Sequence, residues 1–371
     1  DNASNNAAEQ RTGGQVLADA LKIHGVDTVF CVPGESYLAL IDALHDSSNE
    51  IRTVTCRQEG GATNMAEAYG KVTGLPGIAM VTRGPGACNG SIGVHTAMQD
   101  STPMVIFIGQ VARDQEYREA FQEVDYRQFY GAICKWVGQI ENADRIPEMV
   151  SQAFHHAMSG RPGPVALALP EDMLRDLTGV KDAGPYKIAR PGVDPADIDM
   201  MMGLLKAAEK PLMIVGGGGW TAEACDDIRA FAQANNIPTA ASFRCQDIMD
   251  NNLSCYVGEL GTSVSAALKA RVLDSDLLLV VGARLGEMTT GGYSMVSVPR
   301  PSQTLIHIYP DPDEMGRVYQ PDLPICAGVD RFAGSVRDVT IGGDATWAAW
   351  REAARNDYLD NLKPNAGLPG A

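Results

Sequence analysis

Two residues separate the apolar, β-branched run IRTVTC (51–56) from a carboxylate, Glu59, which is followed directly by Gly60 and Gly61. A helix of small residues, ATNMAEAYGKVTG (62–74), then begins. This is the passage from a strand to a helix, at the carboxyl edge of a parallel sheet, where open α/β sheets place ligands. A carboxylate there is a candidate for acid–base work, and the two glycines let a backbone or a ligand come close. A glutamate in the first turn of a helix also complements the helix dipole by about 0.3–1 kcal/mol, and position alone does not separate the two roles. Two further turns bear on the question. VPGES (32–36) and TRGPGACNG (82–90) follow other strand-like runs, so three glycine-bearing turns converge on one crevice.

Other reactive side chains are scattered. The eight cysteines, at 31, 56, 88, 134, 225, 245, 255 and 326, form no CxxC pair and read as buried thiols of a reducing compartment. The six histidines do not cluster with them, and the adjacent His155 and His156 point different ways on a helix, so no metal site is expected.

The elements that must position these residues are legible as alternation. Strand-like runs at 26–32, 51–56, 77–82, 103–109, 135–140 and 164–170 are separated by helix-length segments with apolar residues three and four apart. Ala62, Met65, Ala66 and Tyr69 form one such face, starting near Gln58. Such alternation predicts α/β domains with parallel sheets covered on both sides. A polar, proline-bearing stretch at 176–194 reads as a linker. A second pattern follows over 195–340, with strands at 211–219, 237–242, 275–283 and 303–309 and a helix at 221–235. Residues 1–11 are expected to be a disordered tail and 341–371 a tail or linker with one short helix. Of 371 residues, 45% are hydrophobic, as in a packed protein, and the net charge of −16 argues against nucleic acid as a partner. No stretch reaches the roughly 20 apolar residues that span a bilayer, so the cytoplasm is the expected location.

Together VFCVPGESYLALIDAL, RQEGGATNMAEAYGKVTGLPGIAMVTRGPGACN, STPMVIFIGQV, EAFQEVD, ICKW and SGRPGPVALALP resemble the pyrimidine-binding domain of thiamine diphosphate enzymes, over 12–175. The nearest resemblance is to the large, catalytic subunit of acetolactate synthase. GGGG, SDLLLVVGARLGE and IHIYPDP resemble the family's central, Rossmann-like domain. The resemblance implies two doubly wound parallel-sheet domains, a homodimer or larger homo-oligomer, and decarboxylation and carboligation of a 2-oxo acid. It implies that Glu59 accepts a hydrogen bond from the cofactor's aminopyrimidine and favours its basic imino form. It places Gly34, Pro85, Asn89 and Gln122 in the cofactor pocket, and Phe121 and Lys135 near the substrate, where a cation suits a carboxylate. Core packing remains open for Phe121, and a solvated surface role for Lys135. Gly216, Gly217, Gly218 and Arg284 are a candidate FAD or adenine-nucleotide site, with a tight turn as the other reading.

The chain departs from the resemblance at Glu35, where acetolactate synthases usually have glycine, and at GARLGEMTTGG (282–292), which keeps Arg284 but lacks a later arginine. The Gly-Asp-Gly motif that holds magnesium and diphosphate in the family does not occur; the nearest string is GGDAT (342–346). The chain alone is therefore expected to be catalytically incomplete, with the Mg²⁺ ligands in an absent domain. It would be a piece of a longer enzyme, one half of a split enzyme, or a non-catalytic binding or scaffold relative. Other thiamine diphosphate decarboxylases and carboligases remain alternatives.

Overall fold

The structure, a computed structural model, describes residues 10–343, 345–364 and 367. Residues 1–9 of the expected tail, and Asp344 of GGDAT, lie outside the described residues. The chain divides into two units, Asp1–Ala189 and Arg190–Ala371.

The first unit runs β1 (Arg11–Thr12), α1 (Gly13–Ile23), β2 (Thr28–Cys31), α2 (Leu38–Asp46), β3 (Arg52–Thr55), α3 (Glu59–Thr73), β4 (Gly77–Val81), α4 (Gly84–Asp100), β5 (Met104–Gln110), α5 (Tyr126–Tyr130), β6 (Trp136–Gln139), α6 (Ile146–Met158), β7 (Pro164–Pro170) and β8 (Leu177–Thr178). Six strands form one parallel sheet in the order β3-β2-β4-β5-β7-β6. The period of two along each strand splits the core between its faces. On β5, Val105 and Phe107 join the cluster under α1, α2 and α6, while Met104, Ile106 and Ile108 join the one under α3 and α4. The stretch expected to be a linker is partly held: β8 pairs antiparallel with β1, and Arg11 bridges Asp19 at 2.6 Å and Asp182 at 2.8 Å.

The second unit runs α7 (Pro195–Ala207), β9 (Pro211–Val215), α8 (Ala222–Ala234), β10 (Thr239–Ser242), β11 (Tyr256–Leu260), α9 (Ala266–Asp274), β12 (Leu277–Val281), β13 (Thr304–Tyr309), β14 (Leu323–Cys326), α10 (Val329–Val336) and α11 (Ala348–Asn361). Its parallel sheet has the order β11-β10-β9-β12-β13-β14, which reverses between β9 and β12. β11 and β14 were not anticipated: YVGEL and LPIC are short and interrupted by Gly258 and Pro324. The expected tail beyond 341 is corrected as well. Trp347 is 2% exposed, and its Nε1 donates to the carbonyls of Asn235 and Asn236 at 3.2 and 3.0 Å, so α11 belongs to the unit.

Asn235, 1% exposed, ties this corner together. Its Nδ2 donates to Val339 O at 2.8 Å and its Oδ1 accepts from Ile341 N at 2.8 Å. Asn235→Ala leaves both backbone groups unpaired, so we expect a loss of about 1–3 kcal/mol in a denaturant titration; an unchanged midpoint contradicts this role.

Burial lowers the pKa of three histidines below the ordinary 6.5. His24 stacks on Phe154 and accepts Tyr186 N at 3.2 Å; His156 stacks on Trp136; His307 lies in the second core with Nε2 2.8 Å from Ala283 O. The unfolded chain takes up protons near 6.5 that the folded chain refuses. Their contribution is therefore complete above that value and is lost as pH falls through it toward the lowered folded values. The urea midpoint should fall between about pH 7 and pH 5; a flat midpoint across that interval contradicts the assignment.

Candidate functional site

Parallel pairing brings the turns after β2, β3, β4, β5 and β7 to one edge of the first sheet. Glu59 opens α3, capped by Gln58, whose Oε1 accepts from Gly61 N at 3.0 Å. Asn89, on α4, donates from Nδ2 to Glu59 Oε2 at 3.1 Å. The other oxygen, Oε1, lies over the bare face of Gly86, where an added Cβ would stand 3.4 Å away. Glu59 is half-buried, and Pro85 and Asn89 are exposed. One carboxylate oxygen is thus oriented by an amide, while the other lies against Gly86, where only a glycine fits beside Thr82, so the group is set in advance to accept a hydrogen bond.

Gly34 joins this constellation through packing. A Cβ there would come within 2.5 Å of Thr82 Cβ, and Thr82 Cγ2 in turn would stand 2.9 Å from a Cβ at Gly86. Ser36 Oγ and Thr82 Oγ1, 2.9 Å apart, fasten the same contact. The turn after β2 therefore rests on the end of β4, which rests against Gly86 beneath the carboxylate.

Gln122 is held in the left-handed region at φ 66°. Its carbonyl accepts from Gly84 N at 3.0 Å, and its Oε1 is buried without a hydrogen-bond partner. Phe121 is 77% exposed, which removes core packing as its role. Arg83 was missed from the sequence. Its side chain is 12% exposed, with Nη2 3.2 Å from Glu171 Oε2 and 3.8 Å from Glu35 Oε1, and Nη1 donates to Phe121 O at 3.1 Å. Only strand pairing brings residues 35, 83 and 171 together, so no local pattern could have shown it.

Lys135 is not part of this group. It immediately precedes β6, where its N–H bonds Pro164 O at the start of β7, and its Nζ donates to Ser159 O at 2.6 Å. That is the amino edge of the sheet, opposite Glu59, and the correction follows from the direction of β6. The helix face read around Ala62 also changes. Ala62 and Ala66 are fully buried and Met65 is 48% exposed, while α3 and α4 meet through Thr63 and Gly93. Burial pushes the Cys31 thiol up to about 11 and raises that of Cys56, so neither offers a thiolate at neutral pH.

In the second unit Gly216, Gly217 and Gly218 follow β9, and Gly282 and Arg284 follow β12, where the strand order reverses. A side chain at Gly217 would overlap the Gly282 carbonyl, and one at Gly216 would overlap Ser242 Oγ. Gly216 O accepts from Trp220 Nε1 at 2.8 Å, and Arg284 Nη1 lies 3.9 Å from the largely buried Glu314 carboxylate. The faces of Gly216 and Gly217 are closed by the unit's own chain, so a tight turn accounts for these two glycines. Among the described residues no group of three or more His, Cys, Asp or Glu could hold a metal ion, and no helix is long and apolar enough to cross a membrane.

Residues 11–129 match the family model described as the N-terminal TPP-binding domain of thiamine pyrophosphate enzymes, and residues 198–335 match the model for their central domain. The chain is 33% identical over 358 residues to the acetolactate synthase large subunit of Parasynechococcus marenigrum, covering 94% of this chain and 57% of that protein. It is 32% identical over 363 residues to the large subunit of Corynebacterium glutamicum, covering 96% and 57%. With the isozyme 2 large subunit of Escherichia coli it shares 33% identity over 309 residues, covering 83% and 55%. The chain thus spans little more than half the length of these relatives.

Proposed function

Because the chain belongs to the thiamine pyrophosphate enzyme family, carrying its N-terminal and central domains, we propose that it supplies the aminopyrimidine side of an active site of the acetolactate synthase type. That site would decarboxylate a 2-oxo acid and join the product to a second carbonyl compound. The observation that carries this reading is the Glu59 carboxylate, oriented by Asn89 at 3.1 Å over the bare face of Gly86. Without a cofactor the carboxylate keeps only its helix-dipole role, which requires neither Asn89 nor Gly86.

The residues fit the pyrimidine half of the cofactor: a carboxylate oriented by Asn89, close packing of Gly86 beneath it, and the unpartnered, buried Gln122 Oε1. Thiamine diphosphate, when bound, supplies the electron sink that lets a 2-oxo acid lose carbon dioxide. Glu59 holds a proton at the pyrimidine ring nitrogen, and its half-buried setting makes that hydrogen bond stronger than it would be in water. Asn89 keeps the carboxylate turned toward the ring. Gly34 and Pro85 shape the turns that bound the pocket, and Phe121 stands at the substrate end.

We place the diphosphate and Mg²⁺ on residues outside those described. A homodimer is part of the proposal, supported by exposed apolar side chains on the two helices that carry Glu59 and Asn89: Met65 and Val72 on α3, 48% and 86% exposed, and Ile92 on α4, 60% exposed. So is a cytoplasmic setting, supported by eight free cysteines. The test is the full-length protein with thiamine diphosphate, magnesium, pyruvate and a panel of other 2-oxo acids. Carbon dioxide release with formation of a 2-hydroxy ketone or 2-acetolactate is expected. Consumption of no 2-oxo acid contradicts the reading.

A further inference from the structure

We propose that Glu123 is a positioning residue: its carboxylate clamps the turn after β5 into a strained shape that presents Phe121 and Gln122 to the crevice before any donor binds. This rests on the reading of the crevice as a thiamine diphosphate site. Residues 113–125, RDQEYREAFQEVD, contain no glycine. Yet Tyr117, Glu119 and Gln122 have φ of 62°, 54° and 66°, in the left-handed region that glycine adopts freely and such side chains rarely do. Local preference does not hold a turn in that shape. Residues of this kind persist where surrounding contacts impose them, and imposed strain gathers at ligand-binding turns.

The contacts that impose the shape come from two sides. From outside, the turn after β4 holds the last residues: Gly84 N donates to Gln122 O at 3.0 Å and Arg83 Nη1 to Phe121 O at 3.1 Å. Gln110 Nε2, at the end of β5, donates to Val124 O at 2.9 Å. From inside, one carboxylate spans the turn. Glu123 Oε1 accepts from Tyr117 N at 2.7 Å and Oε2 from Ala120 N at 3.0 Å, while Glu123 N donates to Ala120 O at 2.9 Å. The clamp therefore closes over Tyr117 and Glu119, two of the three left-handed residues. Hydrogen bonds from backbone N–H groups to a carboxylate are about twice as strong as neutral ones. Burial of the aromatic rings does not explain the shape, because Tyr117 is 92% and Phe121 77% exposed. The clamped turn also carries Gln122 Oε1, buried and without a hydrogen-bond partner, an acceptor held ready for a ligand. Without the clamp the competent turn becomes one shape among several, and a donor binds only that fraction.

The test uses the full-length enzyme with thiamine diphosphate, magnesium and pyruvate. Glu123→Gln keeps the length of the side chain but sets an NH₂ group against a backbone N–H, so only one of the two bonds survives. Hydrogen–deuterium exchange at the amides of Tyr117 and Ala120 should quicken by about tenfold or more, with the melting temperature near the parent's. Donor affinity is read twice, as KM and by equilibrium dialysis of labelled pyruvate. KM should rise by about three- to tenfold and kcat should change less, because the turn must be reordered at each binding event. Adding Glu119→Asn to Glu123→Gln should recover about half of the lost kcat/KM or more, since asparagine tolerates the left-handed region. Unchanged amide exchange, an unchanged KM, or a loss that Glu119→Asn leaves untouched overturns the inference. If the amides quicken and pyruvate binds more weakly in dialysis, but no 2-oxo acid turns over, the clamp stands and the thiamine reading falls.

Discussion

Glu59→Gln is expected to lower turnover of the full-length enzyme by about 10²- to 10⁴-fold, the range lost when a positioned acid–base group is removed. The substitution is nearly isosteric. Gln58 still caps α3 through Gly61 N, so the circular dichroism spectrum and the melting temperature should hardly move. The amide can still meet Asn89, but it cannot carry the negative charge that stabilises a protonated ring. The loss should therefore appear in kcat more than in KM for the donor acid, because the group acts on the cofactor and not on the substrate. Near-parental turnover would return Glu59 to the role of a helix-dipole partner.

Gly93→Ala should be a damaging substitution in the first unit. A Cβ at that position would stand 2.5 Å from Thr63 C and 2.7 Å from Asn64 N. Both are backbone atoms of α3, which cannot swing aside as a side chain can. Relief requires α3 and α4 to separate, at about 1–3 kcal/mol or more. That separation also pulls Asn89 from Glu59, since each helix contributes one member of the pair. Stability and cofactor affinity should fall together. Gly61→Ala is the control: nothing lies within 4 Å of the added Cβ, and helix propensity alone should favour alanine by about 0.5–1 kcal/mol. Equal melting temperatures for Gly93→Ala and the parent would contradict the packing argument.

The alternation of short apolar runs with helical periods made the two parallel sheets readable, because a strand buried on both faces needs no polar residues. β7 was read to the residue, as PVALALP carries none. β11 and β14 escaped because a glycine and a proline break their runs, and tertiary pairing supplies what propensity does not. Glu59, Asn89 and Pro85 were readable because each sits in a glycine-bearing turn next to a strand. Lys135 was misplaced because residue type says nothing about which end of a strand a side chain occupies. The Arg83–Glu35–Glu171 cluster was invisible for the opposite reason: its members are far apart in sequence, and Glu35 stood out only as a departure from the resemblance, with no partner in view. The glycines at 216 and 217 show the limit of a motif, since close approach of two strand ends demands them as much as a phosphate would.

The central claim is that the carboxylate of Glu59 drives the bound pyrimidine ring into its basic form. The most direct measurement is the rate of hydrogen–deuterium exchange at C2 of thiamine diphosphate bound to the full-length enzyme, in the parent and in Glu59→Gln. The account predicts fast exchange in the parent and a fall of about a hundredfold or more in the variant, with the cofactor still bound. Equal exchange rates in the two proteins would contradict it.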